Sequence, residues 1–170
     1  SIATVYTEVI RDTPLLLQLY FFYFLLPDIL PALKLSKFAC ITIALVINSG
    51  AYMSEVFRSG IQSIDRGQTE AARSLGLSSR QTMMRIVLPQ AFKNVLPAMC
   101  NEFVTIIKES SICYTIGVQE IMYAVTSIKG ATYRIAEPLV IATIVYFCLT
   151  FPTSKIIAYF ERRMSRGDKR

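Results

Sequence analysis

Apolar residues fall into four runs along this chain, separated by polar or charged breaks. Residues 13–27 contain no charge between Asp12 and Asp28, and residues 38–54 contain none at all. Residues 95–118 are apolar but for Glu102, Lys108 and Glu109, and residues 138–160 but for Lys155. With helical extension at the edges, the pattern predicts membrane-spanning helices at 13–30, 38–57, 95–118 and 138–160. The first run is short: at ~1.5 Å per residue its uncharged part covers about 22 Å, against a hydrocarbon core of roughly 30 Å. It has to continue back toward Ile2 or sit among other helices. Lys155 stands near enough to the end of its run to reach the interface with its long side chain. Between the second and third runs lies a polar insert, residues 65–89.

Composition places the chain in a bilayer. Hydrophobic residues make up 53% of it, and its mean hydropathy is +0.44, above what a water-soluble domain of this size carries. The net charge is +6, with basic residues gathered at Arg66, Arg73, Arg80, Arg85 and Lys93 and again at Arg162, Arg163, Arg166, Lys169 and Arg170. The positive-inside rule puts both clusters in the cytoplasm, so an even number of crossings separates them, and the third and fourth runs supply two. Counting back, Arg11 falls inside and the loop with Lys34 and Lys37 outside. The C-terminus is expected to be cytoplasmic, and the absence of repeats or flexible linkers predicts one domain over residues 1–170. Cys40, Cys100, Cys113 and Cys148 lie in or beside apolar runs without CxxC spacing, and histidine is absent. They read as packing residues, and neither a metal nor another cofactor is expected. The chain opens without Met or a basic leader, so it reads as a fragment or processed product.

The insert reads as two short helices with a hinge. Asp65 followed by Gln68, and Ser78 followed by Gln81, have capping-box spacing, in which a side-chain oxygen accepts an orphan backbone N–H. Gly76 falls where the first helix ends in a left-handed cap. Ala71, Ala72 and Leu75 give that helix a small close-approach face, beside Glu70 and Arg73, of a kind that suits docking into a groove. Pro89 stops the second helix or begins the next, where a missing N–H costs nothing. A solvated loop with fortuitous caps is the plain alternative. A DNA-binding helix-turn-helix is another, disfavoured because apolar runs pin the insert to a membrane at both ends, so no nucleic-acid partner is expected.

The pattern Glu70-Ala71-Ala72, three residues, Gly76, nine residues, Ile86, one residue, Leu88-Pro89 resembles the EAA signature of ABC importer permeases at each fixed position. Further stretches resemble the polar amino-acid branch of that family, which handles histidine, arginine, glutamine and glutamate. They are residues 11–19, Asn48-Ser49-Gly50-Ala51-Tyr52 with Glu55 and Arg58, Pro97 with Asn101-Glu102-Phe103, and Lys108-Glu109-Ser110-Ser111. The resemblance covers essentially the whole chain. It implies an all-α integral membrane fold, the type I ABC importer permease helical bundle, with four of the usual five core transmembrane helices present and the first preceding Ser1. Asp12 stands where the family commonly has Gly. The resemblance also implies a multi-pass protein of the bacterial cytoplasmic membrane whose insert rests in a cleft of a cytoplasmic ABC ATPase dimer. Glu70, Ala71, Ala72, Arg73, Gly76, Leu88 and Pro89 would form that contact. A second permease subunit, identical or paralogous, and an extracytoplasmic amino-acid-binding protein are the further partners implied.

Polar groups at membrane depth are the candidates for the substrate path, because an unsatisfied one there is expensive. Asn48 lies about 10 residues, or ~15 Å, from Arg58. Asn101 and Glu102 lie ~10 to 12 Å beyond a cytoplasmic edge near Asn94. Glu102 can pair with a substrate's amino group or, equally, form an interhelical contact. Lys108, Glu109 and Ser110 line the path or pair structurally, and Gln18 reads first as a helix–helix contact. No GxxxxGK[ST] loop occurs, so ATP hydrolysis is expected on the partner and no catalytic residue on this chain. Competing readings are an ABC permease for another solute such as methionine, an ion-coupled secondary transporter or channel, and a membrane hydrolase. The last lacks a histidine base and any nucleophile-elbow or HExxH motif.

Overall fold

The computed structural model describes residues 2–165, so Arg166, Lys169 and Arg170 of the C-terminal basic cluster lie outside the described residues. Among the described residues every regular element is a helix. In chain order they are α1 (Ile2–Arg11), α2 (Leu15–Tyr20), α3 (Leu26–Ile29), α4 (Lys37–Gln62), α5 (Arg66–Ser74), α6 (Ser79–Thr82), α7 (Leu88–Glu109), α8 (Ile121–Thr132) and α9 (Ala136–Ser165). Two wide π-turns, Phe21–Leu25 and Met83–Val87, join α2 to α3 and α6 to α7, and a 3-10 stretch, Ser110–Ile116, extends α7.

Lys37–Gln62 and Ala136–Arg162 are each long and apolar enough to cross a membrane, and Ile2–Arg11 with Leu15–Ile29 make a third crossing if counted as one broken span bent by 106°. The helix of the third apolar run, which carries Lys93, Glu102, Lys108 and Glu109, is not among them; it packs instead between α4 and α9. The first run therefore does not continue straight back to Ile2. Pro14 adopts an extended backbone at the start of α2, and the chain turns there because proline cannot supply the N–H that a continuous helix needs.

Gln18 holds the bend. Its Nε2 donates to the Ile10 carbonyl at 2.8 Å and to the Thr13 carbonyl and Oγ1 at 3.1 Å. One amide thus satisfies carbonyls that the end of α1 leaves without intrahelical partners. α1 itself leans on α4, with Tyr6 Oη donating to the Ile47 carbonyl at 2.7 Å and the Arg11 guanidinium 5.7 Å from the centre of the Tyr52 ring.

The π-turns have a common cause. Each is followed, two residues on, by a proline, Pro27 in one case and Pro89 in the other. A proline ring collides with the carbonyl four residues back in a regular helix. In both places the residue before the proline instead bonds five back, Leu26 N–H to Phe21 O and Leu88 N–H to Met83 O. The widened turn makes room for the ring, so Pro89 neither stops a helix nor starts a separate one. The helical path runs from Ser79 through the π-turn to Glu109.

The buried core gathers Leu15 and Leu19 of α2, Cys40, Ile41 and Ala44 of α4, and Cys113 and Ile116 of the 3-10 stretch. Lipid is as apolar as these side chains, so close van der Waals fit rather than exclusion from water holds such helices together, and small residues set the distance. Ala44 and Ala51 are fully buried and Ala91 and Ala142 nearly so. Gly60 is the tightest point: a Cβ there would stand 2.1 Å from Val95 Cγ1 and 3.3 Å from the Ala91 carbonyl. Below it Asn94 Nδ2 donates to Ser63 Oγ at 3.0 Å. α4 and α7 are thus locked together where the insert leaves and rejoins them. All four cysteines are free; Cys40 and Cys113 pack in the core, whereas Cys148 faces outward.

Candidate functional site

The insert is built from local rules. Asp65 caps α5 by accepting the Gly67 N–H at 2.7 Å. A Cβ on residue 67 would stand only 2.7 Å from that same carboxylate oxygen, which is why glycine follows so closely. No reciprocal bond from Gln68 accompanies it, so this cap is half of a box. Ser78 forms the whole one: its Oγ accepts the Gln81 N–H at 3.2 Å while Gln81 Oε1 accepts the Ser78 N–H at 2.8 Å. Between them Gly76 has φ +84°. Its N–H bonds the Arg73 carbonyl at 3.0 Å and the Leu77 N–H bonds the Ala72 carbonyl at 3.2 Å. This is the 6→1 and 5→2 pairing of a Schellman cap. Arg73 Nη1 adds a bond to the Leu77 carbonyl at 2.8 Å.

Ala71 and Ala72 do not share a face. Adjacent helical positions differ by about 100°; Ala72 is buried against the second helix, with Thr82 and Val87 also buried, while Glu70, Ala71, Arg73 and Gly76 are exposed. Leu75 is 81% exposed at the tip. The outward surface is therefore Glu70, Ala71 and Leu75 rather than an alanine pair. At its base Leu88 and Pro89, with Phe57, Ile61, Met84 and Phe92, line an apolar groove of about 330 Å³.

The intramembrane candidates separate into two groups. Asn48 is buried and its Nδ2 donates to Gln18 Oε1 at 3.1 Å, so these two amides satisfy each other inside the bundle. The rest lie on or just after α7, where residues seven apart share a face. Asn101 and Lys108 are exposed, and Glu102 and Glu109 are half-buried. One Glu109 carboxylate oxygen is buried without a hydrogen-bond partner. Lys108 borders a cavity of about 330 Å³ with Ser111, Tyr114, Met122 and Tyr146. Ser110 donates to the Ile107 carbonyl at 2.8 Å. It also faces a different, larger cavity of about 500 Å³ between α4 and the 3-10 stretch, where the Ser49 hydroxyl is buried without a partner.

Glu120 went unnoticed in the sequence. Its carboxylate caps α8, accepting the Met122 N–H at 2.8 Å and the Tyr123 N–H at 2.6 Å, and also receives the Tyr146 hydroxyl at 3.0 Å. It ties α8 to α9. The signal available was a polar pair, Gln119-Glu120, ahead of an apolar stretch, but glutamate is not among the favoured N-caps.

Comparison with known proteins places this geometry. The family described as binding-protein-dependent transport system inner membrane component matches residues 1–166. The chain is 43% identical over 167 residues to the arginine transport system permease protein ArtQ of Bacillus subtilis, covering 98% of this chain and 76% of ArtQ. It is 38% identical to the probable glutamine ABC transporter permease protein GlnM of the same organism, covering 98% of this chain and 76% of GlnM. It is 40% identical to the putative glutamine transport system permease protein GlnP of Rickettsia typhi, covering 95% of this chain and 74% of GlnP. A crystal structure of an amino acid ABC transporter with histidines matches with a TM-score of 0.89 and 44% identity, over 95% of this chain and 75% of that chain.

Proposed function

This chain belongs to the binding-protein-dependent transport system inner membrane component family, and from that membership we propose that it is the permease subunit of an ATP-driven amino-acid importer. It is a transport component of a multi-pass inner-membrane protein class, not itself the ATPase. On this reading residues 1–170 form one transmembrane domain with the insert and the C-terminus in the cytoplasm. It pairs with a second permease subunit, receives a polar or charged amino acid from an extracytoplasmic binding protein, and is driven by a cytoplasmic ABC ATPase dimer. The names of the relatives, arginine and glutamine transport permeases among them, support the substrate class.

The observation that supports the coupling role most directly is the insert itself. It is a doubly capped helix-glycine-helix with Glu70, Ala71 and Leu75 facing outward, mounted on the Gly60–Val95 lock. A rigid protrusion fixed to two helices transmits a push to both of them, and a flexible loop does not. In the membrane, the half-buried Glu102 and Glu109 on one side of α7 offer negative charge to an amino group or a cationic side chain. Replacing Gly76 by Pro or Glu70 by Lys in the reconstituted complex is expected to cut ATP-driven amino-acid uptake at least about tenfold, while the membrane fold and ATPase turnover persist. Unchanged uptake in both variants sinks the coupling assignment.

A further inference from the structure

Three described residues adopt the left-handed backbone: Gly76, Gly117 and Tyr133. Glycine does so at no steric cost, and a tyrosine does not. Tyr133 ends α8 with φ +56°, its N–H bonded to the Lys129 carbonyl at 2.9 Å. Its side chain is 94% exposed, so nothing within the chain offsets the strain. A strained residue that displays a bare aromatic ring points to a use outside the chain.

Its place in the fold says where that use lies. α7 leaves the insert at Leu88, and the far end of its helical path, Lys108 to Tyr114, borders the same cavity as Tyr146 of α9. The α8–α9 turn lies a further 10 residues or so back along α9, ~15 Å beyond that level. Tyr133 therefore stands at the end of the molecule opposite the insert. Around it Ile128 and Ile135 are exposed, Lys129 has no ion-pair partner among the described residues, and Arg134 pairs only with the exposed Glu137 at 3.3 Å. An aromatic tip flanked by two isoleucines and two cations fits an apolar socket with an acidic rim.

Resting on the permease reading above, we propose that Tyr133 is an anchor for the extracytoplasmic binding protein, inserted into an acidic-rimmed socket on that protein's docking face, with Lys129 and Arg134 meeting the rim. The strain makes the test unusual, because Tyr133→Gly removes the ring and at the same time relieves the backbone. The complete transporter, reconstituted with its ATPase, is titrated with the purified binding protein encoded beside this chain, loaded with arginine or glutamine, and ATPase stimulation is followed. Tyr133→Gly is expected to raise the half-stimulating concentration at least about tenfold, the size of a lost aromatic anchor. Basal ATPase activity and thermal stability should be no lower than in the parent. Lys129→Glu is expected to raise it several-fold, more so at low salt. An unchanged half-stimulating concentration in Tyr133→Gly overturns the inference, and if stability then depends on the lipid used, the ring anchors in headgroups instead. A parent complex that no binding protein stimulates refutes the permease reading and the inference with it; a stimulated parent with an unaffected variant refutes the inference alone.

Discussion

The two ends of the molecule meet the same backbone problem and resolve it in opposite ways. At the insert, a helix must turn sharply into a second one, and the left-handed position is glycine, enclosed by backbone bonds from Leu75, Gly76 and Leu77 and by the Arg73 guanidinium. At the α8–α9 turn the left-handed position is Tyr133, held by one backbone bond and by the Arg134 N–H donating to Thr132 Oγ1 at 3.3 Å. In the first case the chain keeps backbone shape and presents neighbouring side chains; in the second it keeps a particular side chain and tolerates a strained backbone. The contrast separates a part that transmits force from a part that displays a surface.

The change that most disturbs this contrast is Gly60→Leu. With a Cβ already 2.1 Å from Val95 Cγ1, the larger side chain would drive α4 from α7 and is expected to destabilise the protein by at least about 3 kcal/mol. Thermal unfolding in detergent measures it, and a fall in stability of that size would establish that the insert stands on a rigid mount. Gly76→Ala comes next. No atom lies within 4 Å of the added Cβ, so its cost is the left-handed backbone alone, roughly 1–2 kcal/mol. Tyr133→Gly should shift stability the opposite way, by less than about 1 kcal/mol once the added freedom of the unfolded chain is counted. Melting temperatures of the two variants with the same sign would break the comparison. The smallest effect is Ser78→Ala, which removes one arm of the capping box at about 1 kcal/mol or less, read as faster amide exchange over residues 78–82 with the far turn unchanged.

What the sequence made legible was local. The caps at Ser78–Gln81 and at Gly76 depend on residues within four positions of each other, and both are found where their spacing puts them. The bend at Pro14 was hidden because its evidence is split between a proline and Gln18, whose partners at Ile10 and Asn48 lie 8 and 30 positions away. Proline offset two residues from a π-turn defeats a rule that treats proline as a stop. α8 is too short to read as a membrane span, and its capping glutamate is not a favoured residue type. The face of each EAA residue also had to await the packing of α5 on the second helix, since the spacing alone does not say which alanine turns inward.

The bond between Gln18 and Asn48 bears on how the protein enters the membrane. A helix carrying an amide into hydrocarbon with no partner meets a penalty at every moment it is alone. α2 precedes α4 in the chain, so Gln18 is made first, and its free acceptor waits for the asparagine 30 residues later. The two helices are therefore better released into lipid as a hairpin than one by one. Replacing Asn48 by leucine would leave the earlier helix with an acceptor that nothing downstream answers.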